Sequence, residues 1–389
     1  MKTIKLKKKE ERRILRGHPW IFSNEIEKMP ADVLPGEIVD VTTSSGVFVG
    51  RGYLNPHTLI AVRMLTRRQE EINHNFIHGR ISTAQELRLR LGMSPDDSYR
   101  AFFSEGDGLP GLIVDKYSDI LVVQSLTAGI DRIEGEILSV LRERYHPQAI
   151  VLRNDSSSRE IEGLGREKRV ASGTLPKTVM IEESGIHYHV DILDGQKTGF
   201  FFDQRENRLT LKGLVAGRRT LDCFCYSGAW ALSAARFGAS ETIGIDASPQ
   251  AVSLATENAD LNGLNTVFYR GNVFEELRNL NMQKEVFGCV ILDPPAFVKS
   301  RSKVREALKG YREINSRALK ILEPGGVLVS CSCSHHIDPD LFREMLINAA
   351  STAGRRVKLL EMRSQSRDHP ALLAARETQY LKCAILLAD

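Results

Sequence analysis

The pattern of apolar and polar positions changes twice along the chain and predicts three regions. In residues 1–70, turn signals separate short apolar runs such as GEIVDVTT and VFVGRGYLN, which indicates a small β-rich domain. Residues 71–190 open with a helical stretch that contains no proline and continue with strands around the further helical segment IDRIEGEILSVLRERY. This mixture predicts a central α+β domain.

The third region, residues 191–389, follows a different rule. After residue 215, short apolar strands alternate with helical stretches, as in RTLDCFC, GAWALSAARFG and ETIGIDAS. Such alternation predicts a parallel, doubly wound sheet that binds ligands at the carboxyl ends of its strands. We therefore expect an α/β multidomain protein.

Composition narrows the class of protein. The 389 residues are 42% hydrophobic and 26% charged, which is typical of soluble globular proteins and excludes disordered and fibrous classes. The N-terminal run MKTIKLKKKEERR does not lead into the apolar core of a signal peptide, and no apolar run is long enough to span a membrane. We expect a cytoplasmic protein without a membrane partner.

Charge is unevenly distributed. The net charge is only +4, but residues 1–20 hold eight Lys and Arg against two Glu. Such an end can face a polyanion or can simply keep the chain soluble, and the charge run alone favours the second interpretation.

The six cysteines form two C-x-C pairs and no C-x-x-C pair. We therefore predict no metal site and expect reduced thiols.

The loop after the first strand of the third region predicts the cofactor class. It holds one glycine, Gly228, together with the bulky Phe224 and Tyr226, whereas a dinucleotide-binding loop needs three glycines. Asp246 ends the second strand, where its carboxylate can accept hydrogen bonds from a ribose diol, although such a residue can also only cap the next helix. A ribose without a pyrophosphate indicates S-adenosylmethionine.

The next strand ends extend this site. Asn272 can meet the edge of an adenine and Val273 can cover its face. The predicted cofactor-binding residues on this sheet are Asp222, Phe224, Tyr226, Gly228, Asp246, Ala247, Asn272, Val273 and Asp293.

The fourth and fifth strands carry the candidate chemistry. Asp293 is followed by two prolines that fix an extended backbone, and the strand over 326–334 ends with Cys331 and Cys333. A two-residue period predicts that both thiols face the same way. A thiolate that adds to carbon 6 of a pyrimidine activates carbon 5 for methylation, and Asp293 can hold the ring during that step. The opposing interpretation is inert packing, which we expect for the other four cysteines.

Three segments carry a family resemblance. They are RGHPWIF at 16–22, EGDGLPGLIVD at 105–115 and FFDQRENR at 201–208. With the strand ends above, the whole chain resembles the RlmI-like family of ribosomal RNA large-subunit cytosine-C5 methyltransferases. The resemblance implies a PUA barrel, a central EEHEE-type domain and a Rossmann-like methyltransferase domain that forms 5-methylcytosine in 23S ribosomal RNA.

The resemblance leaves two assignments open. Asn272 stands where the family usually has Asp, which changes the donors and acceptors offered to adenine. One match of the cysteine strand makes Cys333 the nucleophile and another makes it Cys331. We predict Cys333.

Further roles follow from the same resemblance. Gln204 and Arg205 resemble a segment that closes over cofactor or target, the alternative being a salt-bridged helix start. Phe297, beside Pro294 and Pro295, can stack on a flipped base or pack as part of a lid. RNA contacts are expected from Arg16, His18 and Trp20, although Trp20 can equally be a core aromatic.

Other functions remain in competition. Methylation of a ring nitrogen such as guanine N7 needs no thiol, a dehydrogenase is disfavoured by the single-glycine loop, and an RNA-binding assembly factor needs no chemistry. The target nucleotide and a homodimeric state are left open by the sequence.

Overall fold

The computed structural model describes residues 1–297 and 303–389. They form two compact units. The first comprises Met1–Ile181, Val190–Phe202 and Arg367–Gln379, and the second comprises Glu182–His189, Asp203–Ser366 and Tyr380–Asp389.

The first unit begins with the β-rich region that the sequence predicts. Its elements are β1 (Lys2–Lys5), α1 (Glu11–Leu15), β2 (Trp20–Phe22), β3 (Glu37–Thr42), β4 (Phe48–Leu54) and β5 (Ile60–Thr66). The strands lie in the order β1-β3-β4-β5-β2, with β1 parallel to β3. Alternate residues such as Ile4, Val39 and Val41 are buried because one face of the sheet covers an apolar core.

The rest of the first unit is the predicted α+β region. Its elements are α2 (His74–Arg90), β6 (Tyr99–Phe103), α3 (Ser104–Asp107), β7 (Leu112–Tyr117), β8 (Ile120–Ser125), α4 (Ala128–Arg132), α5 (Glu134–Tyr145), β9 (Ala149–Asn154), α6 (Ser158–Ile161) and β10 (Glu167–Gly173). The strand order is β10-β9-β8-β7-β6, and α2 and α5 cover the sheet with Ile77, Ile81 and Ile137.

The second unit contains the doubly wound sheet. Its elements, with the β11–β12 pair that precedes them, are β11 (Val179–Glu183), β12 (Ile186–Val190), α7 (Arg205–Arg208), β13 (Arg219–Cys223), α8 (Ala229–Arg236), β14 (Glu241–Asp246), α9 (Pro249–Asn262), β15 (Thr266–Arg270), α10 (Val273–Met282), β16 (Phe287–Leu292), α11 (Val304–Lys320), β17 (Leu322–Ser332), α12 (Pro339–Ala353), β18 (Val357–Arg363) and β19 (Lys382–Ala388).

The strand order β15-β14-β13-β16-β17-β19-β18 confirms the predicted parallel core. Strands β13 to β17 run parallel, and β19 inserts antiparallel between β17 and β18. Every residue of β16, FGCVIL, is buried, as expected for a strand with both faces covered. The parallel strands therefore end at one edge, and the loops that follow them share it.

Two of these loops end at a capped helix N-terminus, that of α9 and that of α12. Ser248 and Asp338 accept hydrogen bonds from the backbone of the first turns of α9 and α12, and each is followed by proline. This arrangement is typical of helix N-termini, because it satisfies an otherwise unpaired N–H and sets the first φ angle.

Candidate functional site

The loop between β13 and α8 has an unusual backbone. Phe224 and Tyr226 have φ angles of 66° and 47°, and Gly228 has a φ of 80°. A Cβ at Gly228 would lie 2.8 Å from the Phe268 ring, so glycine is required there for space as well as for conformation. Two non-glycine residues in the left-handed region carry a conformational cost that is typical of functional loops.

Two aspartates belong to the strands next to this loop. Asp222 is in β13, which leads into the loop, and Asp246 ends the adjacent strand β14. Both oxygens of Asp246 accept backbone N–H groups, Oδ2 from Tyr226 at 3.0 Å and Oδ1 from Ser248 at 2.9 Å. Asp246 thus shapes the loop, and each oxygen keeps a lone pair for a ribose hydroxyl.

Asp222 is fully buried, and its Oδ2 accepts the N–H of Ala231 at 3.0 Å. Its Oδ1 has no hydrogen-bond partner among the described residues. Burial raises the pKa of Asp222 well above its usual range, and the nearby charges of Asp293 and Asp246 add to the effect. An orphaned buried carboxyl oxygen beside a strained loop fits a polar ligand group such as the amine of S-adenosylmethionine.

The residues that follow β14 and β15 have contacts that do not by themselves indicate a ligand. Ala247 is exposed. Asn272 is also exposed, and its Oδ1 accepts the N–H of Phe274 at 3.0 Å, so it caps α10. Val273 packs in the apolar core and is 3% exposed. An adenine contact from Asn272 and Val273 stays a prediction.

Asp293 follows β16 and accepts hydrogen bonds from two side chains. Gln204 Nε2 lies 3.1 Å and Trp230 Nε1 3.0 Å from Asp293 Oδ2. Of the prolines that follow, Pro294 is buried and Pro295 is exposed. The carboxylate is therefore oriented by side chains from α8 and from the segment before α7.

Phe297 packs among aromatic rings. Its centroid lies 4.5 Å from Tyr311, 6.0 Å from Phe274 and 6.4 Å from Phe224. These contacts correspond to the lid-packing alternative, and the half-buried ring links the cofactor loop to α11.

The thiols of Cys331 and Cys333 differ in burial, and that they face the same way stays a prediction. The strand ends at Ser332, so Cys333 lies beyond the regular alternation. Cys331 is fully buried in an apolar cluster with Cys383, whereas Cys333 is partly exposed. Burial, the contact with Cys383 and the charge of Asp293 raise the pKa of Cys331 well above the usual thiol range. Cys333 is thus the more accessible of the two residues.

The remaining cysteines have the buried positions expected of structural thiols. Cys223, Cys289 and Cys383 are fully buried, and Cys225 is 4% exposed. Burial raises the pKa of Cys289 to about 12.

Gln204 and Arg205 point to different partners. Gln204 is buried and reaches Asp293. Arg205 forms an ion pair with Glu183 at 3.1 Å, which is the salt-bridged alternative considered above. Only Gln204 is thus brought to the strand ends by a direct hydrogen bond in the described contacts.

Three of the eight Lys and Arg side chains in residues 1–20 form ion pairs within the fold, while Lys7, Lys8 and Lys9 are exposed, so a polyanion-facing role for this end stays a prediction. Lys2 pairs with Glu37, Lys5 with Glu27 and Arg13 with Glu25. Residues 2–5 form an edge strand, and Lys2 and Lys5 stand at its two ends. Part of the basic charge is therefore neutralised within the fold.

The predicted RNA-contacting residues occupy different environments. Arg16 is exposed. His18 is buried, and its Nδ1 accepts the N–H of Trp20 at 3.1 Å, while Trp20 Nε1 donates to Glu105 at 2.8 Å. Burial and the charge of Arg13 lower the pKa of His18.

A cavity of about 600 Å³ opens beside His18 within the first unit. One wall is the α2 face with Gly79, where a Cβ would meet nothing within 4 Å. The charged residues lining the cavity are Arg67, Arg68, Glu70, Arg80 and Glu105. Three arginines therefore line this cavity, and the wall at Gly79 faces open space.

Three residues at the sheet edge were not predicted from the sequence. Trp230 orients Asp293, Tyr311 contacts Phe297 and Ser334, and Lys382 donates to the carbonyl of Ser334. A lone lysine inside the apolar run LKCAILLA is the only one of these with a visible sequence signal.

None of the helices in the described residues combines the length and the apolar character that a membrane span requires. In the same part of the chain, no group of three or more His, Cys, Asp or Glu side chains has the arrangement of a metal site.

Comparisons with known proteins agree with this geometry. The model of a PUA-like domain matches residues 4–67, and the model of S-adenosylmethionine-dependent methyltransferases matches residues 167–374. Proteins of Yersinia pseudotuberculosis and Yersinia pestis named "Ribosomal RNA large subunit methyltransferase I" are each 38% identical over 383 residues, which cover 97% of this chain and 97% of theirs.

Solved structures share the fold over the full length. A Streptococcus mutans protein described as a candidate SAM-dependent methyltransferase has a TM-score of 0.86 at 21% identity, with 100% of both chains covered. A candidate methyltransferase complexed with SAH has a TM-score of 0.87, also at 21% identity and with 100% of both chains covered. These results confirm the predicted fold class and the S-adenosylmethionine cofactor. The chain therefore belongs to the family of S-adenosylmethionine-dependent methyltransferases with an N-terminal PUA-like domain that includes the proteins named Ribosomal RNA large subunit methyltransferase I.

Proposed function

We propose that this protein methylates carbon 5 of a cytosine in large-subunit ribosomal RNA, with Cys333 as the nucleophile. The observation that carries the proposal is the contrast between the core position of Cys331 and the partly exposed position of Cys333. Cys333 follows β17 and Asp293 follows the adjacent parallel strand β16, so the two belong to neighbouring strand ends. The names of the curated relatives support ribosomal RNA as the substrate.

The reaction assigns a task to each of these side chains. The Cys333 thiolate adds to carbon 6 of the cytosine, and the electron pair of the C5–C6 double bond moves to carbon 5. When bound, S-adenosylmethionine supplies the electrophilic methyl group. Loss of the carbon 5 proton to a base then restores the double bond and expels the thiolate.

Asp293 has the position to stabilise the ring while it is attacked. Its carboxylate can accept a hydrogen bond from the exocyclic amine, and from N3 when that nitrogen carries a proton. Trp230 and Gln204 fix its orientation, so little reorganisation is needed during the reaction. Phe297 packs against Tyr311, so an unstacked base would meet only the part of its ring that stays exposed.

The residues around the cofactor loop are proposed to hold S-adenosylmethionine. Asp246 would accept the ribose hydroxyls with its remaining lone pairs, and Asp222 would meet a polar group of the methionine part with its orphaned Oδ1. The left-handed residues of the loop turn the chain sharply at this point, which gives the cofactor close access to the backbone.

RNA binding is assigned to the first unit, with residues 1–70 as its PUA-like part. The guanidinium groups of Arg67 and Arg68 line the cavity, and Arg16 is exposed. These cations can neutralise phosphates, whereas Lys2 and Lys5 already have carboxylate partners. Changing Arg67 and Arg68 to Ala should lower the salt dependence of RNA binding by about 0.7 per lost phosphate contact on a log–log plot. Lys5→Ala is the matched control and should change the slope little.

The identity of the modified base tests the proposal. Protein-free ribosomal RNA is incubated with S-adenosylmethionine carrying a labelled methyl group, and the RNA is digested to nucleosides for mass spectrometry. Label in 5-methylcytidine with the wild-type protein, and none with Cys333→Ala, is the expected result. Label in 7-methylguanosine instead of 5-methylcytidine would overturn carbon 5 chemistry and establish ring-nitrogen methylation.

A further inference from the structure

A buried lysine lies beside the end of the cysteine strand. Lys382 begins β19 and pairs with Ser332 in the antiparallel ladder, one position from the Cys331–Cys383 pair. It is 4% exposed. Its Nζ donates to the carbonyl of Ser334 at 2.7 Å and to that of Tyr380 at 2.8 Å. The ammonium is thus fastened to the residue that follows Cys333.

Within the described part of the chain, the charge of this lysine has no carboxylate partner, and its Nζ contacts only backbone carbonyls. The rest of its strand is apolar. Burial lowers the pKa of Lys382 to about 8, and the opposing influences are the negative charges of Cys333 and Asp338. A buried cation without a salt bridge destabilises a fold, so an apolar residue would suit a purely structural position better.

The groups around Lys382 come from several elements. Cys333 lies at the end of β17 and Asp338 at the start of α12. Tyr311 of α11 is 3.0 Å from the hydroxyl of Ser334, and the His335 ring is 5.8 Å from that of Tyr380. Two of these groups influence the pKa of Lys382. Cys333 directly precedes Ser334, whose carbonyl accepts a hydrogen bond from Lys382, whereas Asp338 is an exposed helix cap.

We propose that Lys382 is a positioning residue whose ammonium group is the counter-ion of the Cys333 thiolate. Ionisation of the thiol releases its proton to water, and the resulting charge pair leaves the sulfur electron pair ready to form the bond to carbon 6. The inference deepens the proposed function because it concerns the same nucleophile, but the charge pair can be measured without RNA. Its physical basis is that an opposite charge within about 4–6 Å favours the ionised form of a thiol.

Alkylation of Cys333 by iodoacetamide tests the charge pair. The sulfur forms a bond to carbon while iodide leaves, and mass spectrometry of the Cys333 peptide follows the rate from pH 6 to pH 10 in the full-length protein. The wild-type rate should reach half its maximum below pH 8.5, the ordinary value for a cysteine. Lys382→Met should move this midpoint upward by about one pH unit or more and slow alkylation at pH 7 about tenfold.

Two further variants separate charge from structure. Lys382→Arg keeps a cation and should retain a midpoint closer to that of the wild type. Lys358→Met, at an exposed lysine of β18 paired with Asp389, should leave the profile unchanged. An unchanged midpoint in Lys382→Met would overturn the inference. If that variant does not fold, a wild-type midpoint at or above pH 8.5 overturns it equally well.

The result also stays distinct from the proposed function. Methylation of a guanine nitrogen would refute the assigned reaction but would leave the alkylation profiles as evidence on the charge pair. Conversely, the protein could form 5-methylcytidine while the pH midpoint of Cys333 alkylation is the same in wild type and Lys382→Met. That result would support the reaction and refute the role of the lysine.

Discussion

Buried charged residues have carboxylate–guanidinium partners in the first unit but are incompletely paired at the carboxyl edge of the methyltransferase sheet. In the first unit, buried Arg88 forms a paired contact with Asp107 at 2.7 Å, and Arg100 pairs with Asp115. At the sheet edge, Asp222 keeps an oxygen without a described partner, and Lys382 is bonded to carbonyls rather than to a carboxylate. Fully compensated charges hold a structure together, whereas incompletely compensated ones are tolerated where a ligand or a reaction completes them.

Breaking a compensated pair should have the largest effect. Arg88→Met leaves the carboxylate of Asp107 buried without its bidentate partner and should lower the free energy of unfolding by about 3–5 kcal/mol. Denaturant unfolding monitored by circular dichroism measures this loss. Restoring most of the stability by adding Asp107→Asn would support the explanation, and a loss below about 1 kcal/mol would contradict it.

A smaller effect is expected where a ligand completes the site. Asp246→Ala removes two backbone contacts and the proposed ribose acceptor, so S-adenosylmethionine should bind about 1.5–3 kcal/mol more weakly. Isothermal titration calorimetry gives the affinity directly. Asp260→Ala on α9 is a suitable control, because its helix follows the same strand but the residue is not at the loop. Equal affinities for wild type and Asp246→Ala would move the cofactor site elsewhere.

The smallest effect concerns the pH dependence of stability. Because the pKa of Lys382 falls from 10.5 to about 8 on folding, the unfolded chain binds more protons than the native state between these values. The contribution of Lys382 to the free energy of unfolding should therefore rise with pH in this window, by at most about 1.4 kcal/mol per pH unit for one proton. Lys382→Met should lose this rise in denaturant titrations at pH 8 and 10. The same slope in both proteins would show that folding does not lower the pKa of Lys382.

Much of the fold was predictable from local patterns. The alternation of short apolar strands with helices predicted the parallel sheet, and the positions of Asp246, Asn272 and Asp293 at strand ends followed from it. Parallel strands joined by right-handed crossovers leave few topologies, so the common edge could be inferred without coordinates.

Details that depend on distant pairing were not predictable. The partners of the N-terminal lysines could not be identified from the sequence, because carboxylates such as Glu37 for Lys2 lie some thirty residues away. Similarly, the insertion of β19 beside β17 brings Lys382 to the cysteine strand across about fifty residues. The end of β17 at Ser332, which leaves Cys333 outside the strand, was also not visible in the sequence.

The most direct test of the account uses RNA with 5-fluorocytosine in place of cytosine. Fluorine replaces the proton that must leave carbon 5, so methyl transfer should trap a protein–RNA adduct that survives denaturation and requires S-adenosylmethionine. Wild type and Cys331→Ala should form this adduct, and Cys333→Ala should form none and lose turnover. An adduct that is retained in Cys333→Ala but lost in Cys331→Ala would contradict the assignment of the nucleophile. Methylation of normal RNA by the double variant at near wild-type rate would contradict covalent catalysis itself.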